Sequence, residues 1–259
     1  MAGHSKWNNI RHKKGKTDAQ RAKVFTKLSR EIIVAVKAGG PDPSANSRLK
    51  DVLAKARAAN VPNDNIKRVI AKASGAGDNT TYEAITYEGY GPGGVAMIVE
   101  TLTDNRVRTV AEVRCYFDKY GGNMGAPNSV AWSFDHKGVL VIDKVSLKSN
   151  AHLTAANGKA PPDSAIDEEE LTLTALDAGA DDIEALEDVY HITTTPEHFG
   201  DVHTALEADG YSFINAQVEL VPQTTVTITD DDMKQFIKLL DVLDDNDDIS
   251  NVYHNCDNV

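Results

Sequence analysis

Residues 1–16 contain Lys6, Arg11, Lys13, Lys14 and Lys16, with Trp7 and His12 set between them and no acid. Lysine and arginine neutralise phosphates while aromatic rings stack on bases, so this mixture reads as an arm that follows a nucleic-acid backbone. A solvated surface also carries cations, but an acid-free run with interleaved rings exceeds that ordinary pattern. The same sign continues downstream in Arg21, Lys23, Lys27 and Arg30, then in Arg48, Lys50, Lys55, Arg57, Lys67 and Arg68. Residues 1–75 hold 17 Lys and Arg against 5 Asp and Glu, whereas residues 76–259 hold 10 against 34. The formal charge of −12 and the pI near 5.1 therefore conceal a basic head on an acidic body. Such asymmetry points to an anionic partner for the head and leaves the acidic body as a surface for a protein partner.

Other chemistries find weaker support. Gly89-Tyr90-Gly91-Pro92-Gly93-Gly94 has the letters of a dinucleotide fingerprint, but the β-rich run Val95 to Val99 follows it where a helix should open. A glycine hairpin fits better. Gly121 to Gly125 reads as a helix cap and turn. The acid run Asp244 to Asp248 has Ile249 and Asn255 where a calcium loop needs Gly and a bidentate Glu. Glu168 to Glu170 and Asp230 to Asp232 stand where helix N-termini favour acids. Eight histidines form no HExxH motif, and Cys115 and Cys256 make no metal pair, so both are read as buried thiols. No catalytic residue, cofactor or metal is implied. A non-enzymatic protein is expected.

The elements that must carry the head are legible from periodicity. From Asp18, Phe25, Leu28, Ile32 and Val36 recur at helical spacing until Gly39-Gly40-Pro41. A second helix spans about Ser44 to Asn60, and a third opens at Pro62-Asn63 and ends before Ser74-Gly75. Beyond a short linker the period falls to two. Strands are expected at 82–87, 95–102, 130–134, 139–142, 189–194, 213–220, 225–228 and 249–253, with helices at about 107–120, 166–178, 196–209 and 230–243. A polar stretch at 146–164 reads as a surface loop. The expected fold is α+β multi-domain: a basic arm and three-helix bundle over 1–78, and two ferredoxin-like α+β domains, one discontinuous over 79–135 with 222–259 and one inserted over 136–221. The longest apolar runs have five residues, far below the roughly 20 of a membrane helix, and the N-terminus lacks an apolar signal core. A cytoplasmic location is expected.

Seven ordered motifs carry a resemblance: the opening Met-Ala-Gly-His-Ser-Lys-Trp-Asn-Asn-Ile, Gly89 to Gly94, Thr103-Asp104-Asn105-Arg106, Tyr120-Gly121-Gly122-Asn123, Ser129-Val130-Ala131-Trp132, Ala178-Gly179-Ala180 and Asn251 to Asn255. In order and spacing they resemble the YebC/PmpR family, which includes the mitochondrial translational activator of cytochrome oxidase subunit 1. The resemblance covers nearly the whole chain, although the polar loop at 146–164 is longer than the family pattern. It implies a three-domain cytoplasmic protein, described as a probable transcriptional regulator that binds DNA. It also implies, as an alternative, a ribosome-associated translation factor that contacts ribosomal RNA and relieves stalling at proline runs. A third reading is an acidic protein-binding scaffold.

The candidate nucleic-acid-binding residues are thus Lys6, Trp7, Arg11, His12, Lys13, Lys14, Lys16, Arg21, Lys23, Lys27, Arg48, Arg57 and Arg68. Arg106 and Arg108 extend the track into the acidic body. Because the arm carries cations without apolar periodicity, deleting residues 1–16 should remove most nucleic-acid affinity and leave the melting temperature unchanged. Gel-shift and thermal-melt measurements on the same variant check both halves.

Overall fold

The structure, a computed structural model, describes residues 18–75, 81–144 and 166–259, with the side chains of 18–21 and 58 left out of the description. The arm, 76–80 and the polar loop at 146–164 lie outside the described residues. The chain divides into two units, one of residues 18–132 with 226–259, the other of 133–225.

The first unit begins with three helices, α1 (Asp18–Gly39), α2 (Ser47–Ala58) and α3 (Asn63–Ser74). Their apolar stripes meet through Leu28, Ile32 and Val36 of α1, Leu49, Val52 and Leu53 of α2, and Ile66 of α3. The second helix starts three residues later than its periodicity suggests, because buried Asn46 is its N-cap. Its Oδ1 accepts from Leu49 N at 3.0 Å while its Nδ2 donates to the carbonyls of Ala35 and Gly40, each at 2.8 Å. One side chain thereby closes both α1 and α2. A Cβ on Gly39 would fall 2.8 Å from that amide, and Gly40 sits at φ +86°, so the corner needs both glycines.

The bundle rests on a four-stranded antiparallel sheet ordered β3-β1-β2-β8, where β1 is Glu83–Tyr90, β2 is Ala96–Thr103, β3 is Asn123–Met124 and β8 is Ile249–His254. Helices α4 (Arg106–Lys119) and α7 (Asp230–Asp245) cover one sheet face. There Val95, Met97 and Val99 pack with Val113, Phe117, Phe236, Leu239 and Leu243. The glycine segment before β2 forms a one-turn 3-10 helix at Pro92–Gly94, closing the β1-β2 hairpin. Two expected strands are absent. Segment 225–228 makes only one bridge, Val226 to Cys256, and 130–134 begins as a 3-10 turn at Ala131–Ser133.

The second unit is a second antiparallel sheet, β4 (Phe134–Asp143), β5 (Ala180–Ala185), β6 (Val189–Thr194) and β7 (Phe213–Pro222), ordered β5-β6-β4-β7. Helices α5 (Glu168–Asp177) and α6 (Phe199–Ala208) join Leu140, Ile142, Tyr190 and Ile192 through Leu171, Ala175, Val202 and Leu206. Chain order β4-α5-β5-β6-α6-β7 with this strand order is the split βαβ plan. Strand β5, Ala-Asp-Asp-Ile-Glu-Ala, escapes sequence reading because it is an acid-rich edge with one β-branched residue. The first sheet repeats the plan in space, but its second central strand, β1, comes before the motif in the chain.

What seats the bundle on its sheet is Asp248, at the entry to β8 and 3% exposed. Its carboxylate accepts from Arg30 of α1, from Arg108 Nη2 at 2.6 Å, from Thr109 Oγ1 at 2.8 Å and from Thr103 Oγ1 at 3.0 Å. Its carbonyl takes Leu102 N at 2.7 Å. Arg30 also donates to Leu102 O at 3.2 Å, and its guanidinium lies 5.5 Å over the Tyr82 ring. Burial alone would push the Asp248 carboxyl up, but Arg108, Arg30, Thr109 and Thr103 overcome it and hold the group at about 2. A carboxyl depressed in the folded state contributes stability above its unfolded value near 4, and that contribution is lost as pH falls toward 2. At about 1.4 kcal/mol per unit the contribution is on the order of 2 kcal/mol. Asp248→Asn should cost about 3 kcal/mol at neutral pH by leaving the two guanidiniums without their shared anion. Urea melts at pH 7, 4 and 2 should show the mutant and wild type converging as the carboxyl of the wild type protonates.

Candidate nucleic-acid interface

The cations of the bundle fall into two sets. Along α1, Lys23 Nζ lies 2.6 Å from Asp245 Oδ1, and Lys27 Nζ donates to the Asp244 carbonyl at 2.7 Å with the Asp244 carboxylate 3.5 Å away. With Arg30 on Asp248, three successive turns of α1 meet the acid run that ends α7. Sequence reading took that run for a rejected calcium loop; its partners lie more than 200 positions away, beyond any local pattern.

The second set faces outward. Arg48, Lys50 and Arg57 on α2, and Lys67 and Arg68 on α3, are all exposed. Among the described residues Lys50, Arg57, Lys67 and Arg68 make no ion pair. Spacing explains the division within α2, since Lys50 and Arg57 are two turns apart on one stripe and Arg48 and Lys55 share another. The latter stripe leans toward Glu31 of α1. Burial pushes the Glu31 carboxyl up, Lys55 and Arg48 pull it down, and Glu100 of β2 pushes it up again. Arg68 borders a groove of about 200 Å³ between α1 and α3, whose floor includes Phe25, Leu28, Ile32 and Ile66.

The remaining expected residues separate further. Lys6, Trp7, Arg11, His12, Lys13, Lys14 and Lys16 lie outside the described residues, and Arg21 is placed on α1 without its side chain. Arg106 is open, with Glu83 3.5 Å from it. Arg108 is committed to Asp104 at 2.9 Å and Asp248 at 2.6 Å. The loop around it is a helix start: Asn105 Oδ1 accepts from Arg108 N at 3.1 Å, and Thr103 Oγ1 accepts from Asn105 N at 2.9 Å. Cys256 is buried, and burial pushes its thiol up, but Cys115 is exposed on α4 instead of lying in the core. No group of three or more His, Cys, Asp and Glu that could hold a metal occurs among the described residues. Nor is any helix among them long and apolar enough to cross a membrane.

Sequence reading missed one feature altogether. Glu88 of β1 is 7% exposed and its carboxylate binds the turn after β3, taking Asn128 N at 2.7 Å and the N–H groups of Val130 and Ala131 at 2.8 Å. Burial pushes Glu88 up, but these backbone donors prevail and its carboxyl titrates below the usual range. Donors spent on a carboxylate are withdrawn from a ladder, which is why 130–134 is not a strand from its start. The turn leaves Trp132 at 72% exposure, its Nε1 donating to Ser129 O at 3.0 Å, with the Tyr90 hydroxyl 3.3 Å from the same carbonyl. Strand alternation would have placed Trp132 inward with Val130 and Phe134.

A basic helical bundle seated on a circularly reordered split βαβ domain, with a second α+β unit inserted in its chain, defines a multi-domain α+β protein with a cationic head. Its matches are specific. Residues 5–76 match the model described as the TACO1/YebC protein N-terminal domain, and residues 82–256 match that of the TACO1/YebC second and third domain. The chain belongs to the TACO1/YebC family. It is 53% identical over 256 residues to a protein of Acetivibrio thermocellus and 51% identical over 255 to one of Caldicellulosiruptor saccharolyticus, covering 98% of both chains in each case. Both relatives are called probable transcriptional regulatory proteins. The crystal structure of a conserved hypothetical protein from Aquifex aeolicus superposes with a TM-score of 0.77 at 40% identity, over 94% of this chain and 93% of that one.

The position of Arg108 separates structure from binding. Arg108→Glu should lower stability by roughly 1–3 kcal/mol, because it places a third carboxylate beside Asp104 and Asp248. Nucleic-acid affinity should stay within about twofold, a free-energy change below roughly 0.5 kcal/mol. Thermal melts and binding isotherms on one preparation test the pair.

Proposed function

We propose that the protein is a non-enzymatic, nucleic-acid-binding regulator of gene expression that engages its partner through the basic N-terminal region. The name shared by its relatives favours DNA and transcription. The observation that supports the reading best is the division of the head's cations: one set is bound by the protein's own acids, while Lys50, Arg57, Lys67 and Arg68 are exposed on α2 and α3 with no carboxylate partner among the described residues. Counterions held by a phosphate backbone are released when such side chains replace them. The inner set makes that outer set a defined surface, because Lys23, Lys27 and Arg30 hold the bundle in place.

A second reading, ribosomal RNA in a translation factor, gains support from the arm's mixture of Lys, His and Trp, which suits irregular single strands at least as well as a duplex. Crosslinking in cells followed by sequencing of the bound nucleic acid decides between the two. An acidic-body scaffold that binds no nucleic acid is the reading that salt dependence removes.

With about five to eight phosphate contacts, log affinity should fall against log salt with a slope of about −4 to −7. Replacing Lys13 and Lys14 by Ala, or Lys50 and Arg57 by Ala, should each reduce the slope by nearly two. Lys23→Ala with Lys27→Ala should instead lower the melting temperature and keep the slope. Fluorescence anisotropy of a labelled oligonucleotide between about 50 and 200 mM salt reads these values. A flat wild-type response overturns the nucleic-acid reading in favour of the scaffold.

A further inference from the structure

We propose that Trp132, with Tyr90 beside it, is a stacking platform for an unpaired nucleobase of the nucleic acid that the basic head engages; this rests on the function proposed above and adds a second, uncharged contact to it. A tryptophan at 72% exposure leaves its large apolar ring in water, which folding alone does not reward. Its one polar atom is already satisfied, since Nε1 donates to Ser129 O at 3.0 Å. What remains outward is a π-face. The Tyr90 hydroxyl approaches the same carbonyl at 3.3 Å, so the two aromatic side chains converge on one point while Tyr90 stays 36% exposed.

The platform is rigid because of the buried anion beneath it. The Glu88 carboxylate collects the N–H groups of Asn128, Val130 and Ala131, Gly125 N donates to the Glu88 carbonyl at 2.7 Å, and Asn128 is held at φ +64°. A Cβ on Gly125 would lie 2.4 Å from Ser129 Oγ, so the turn closes tightly as well. An aromatic group fixed in advance loses little entropy when a partner arrives.

The occupant follows from size and chemistry. A stable protein partner wants roughly 1,000 Å² or more of buried surface, but the flanking positions are small Ala131, buried Ser133 and exposed, charged Asp135. Two rings whose turn adds only the small exposed Ala126 and Pro127 suit a flat π-system of their own dimensions, and every base offers one. Paired bases keep both faces covered by their neighbours. The site therefore selects unpaired nucleotides.

The chain holds two tryptophans, Trp7 and Trp132, so Trp7→Phe leaves Trp132 as the sole indole reporter. In the full-length variant, 12-nucleotide oligo(U) and oligo(dT) should quench Trp132 emission in parallel with the anisotropy of an end label, whereas a 12-base-pair duplex should leave the emission unchanged. Trp132→Ala should weaken single-strand binding by roughly 5- to 100-fold, with the salt slope and melting temperature preserved; Trp132→Phe should recover most of the loss. Oligonucleotide binding with Trp132 unquenched and Trp132→Ala neutral overturns this inference alone. Quenching by a proline-rich peptide and by no oligonucleotide also overturns it, assigning the rings to a protein partner. Absence of any oligonucleotide binding by the wild type removes both this inference and the function on which it rests.

Discussion

One buried carboxylate decides where the basic head can be. Asp248 takes hydrogen bonds from α1, β2 and α4 at once, and Arg30, Thr103 and Thr109 would be poorly solvated without it. Burying an anion is costly, and here the cost is offset by two guanidiniums and two hydroxyls. The result is directional: the helix carrying Lys23, Lys27 and Arg30 must lie with those residues on the corner between α7 and β8, and Lys50 and Arg57 of α2 and Lys67 and Arg68 of α3 are then left exposed. The position of the outer basic surface is thus a consequence of the inner ion pairs.

Charge consequently does two different jobs in one bundle. Buried or half-buried pairs such as Arg30 with Asp248 are shielded from salt and specify geometry, whereas exposed, unpaired cations respond to salt and meet a mobile counterion atmosphere. Glu88 is a third case, an anion held ionised by backbone N–H groups, which shapes a turn rather than joining two elements. None of these differences appears in a count of lysines and aspartates.

The sequence was most informative where structure is local. Asp18 to Gly39 and the glycine hairpin before Val95 follow from periodicity and turn chemistry within a few residues. Reading failed where distant groups compete for backbone or charge. Val130 to Phe134 alternates as a strand should, but Glu88, 42 positions from Val130, takes the N–H groups that a ladder would use. Asp244 to Asp248 resembles a solvated acid run, and only the fold brings Arg30 to it from 218 positions away. Strand β5 forms because its neighbours leave an edge open, in spite of its composition. For the candidate interface, residue type marked the bundle as cationic, but which cations stay available depended on contacts no spacing encodes.

The strand order of the first sheet has a consequence for synthesis. Its hairpin β1-β2, helix α4 and the short β3 are complete by residue 124, yet α7 and β8 lie beyond the inserted unit of residues 133–225. At usual translation rates that insertion takes roughly 5–20 s to emerge. Through that interval β2 is an open edge, the core around Met97 and Phe117 lacks Phe236 and Leu239, and Lys23, Lys27 and Arg30 lack Asp245, Asp244 and Asp248. The nascent head is therefore more cationic than the finished one, and the carboxyl end of the chain withdraws part of that charge as its last act of folding.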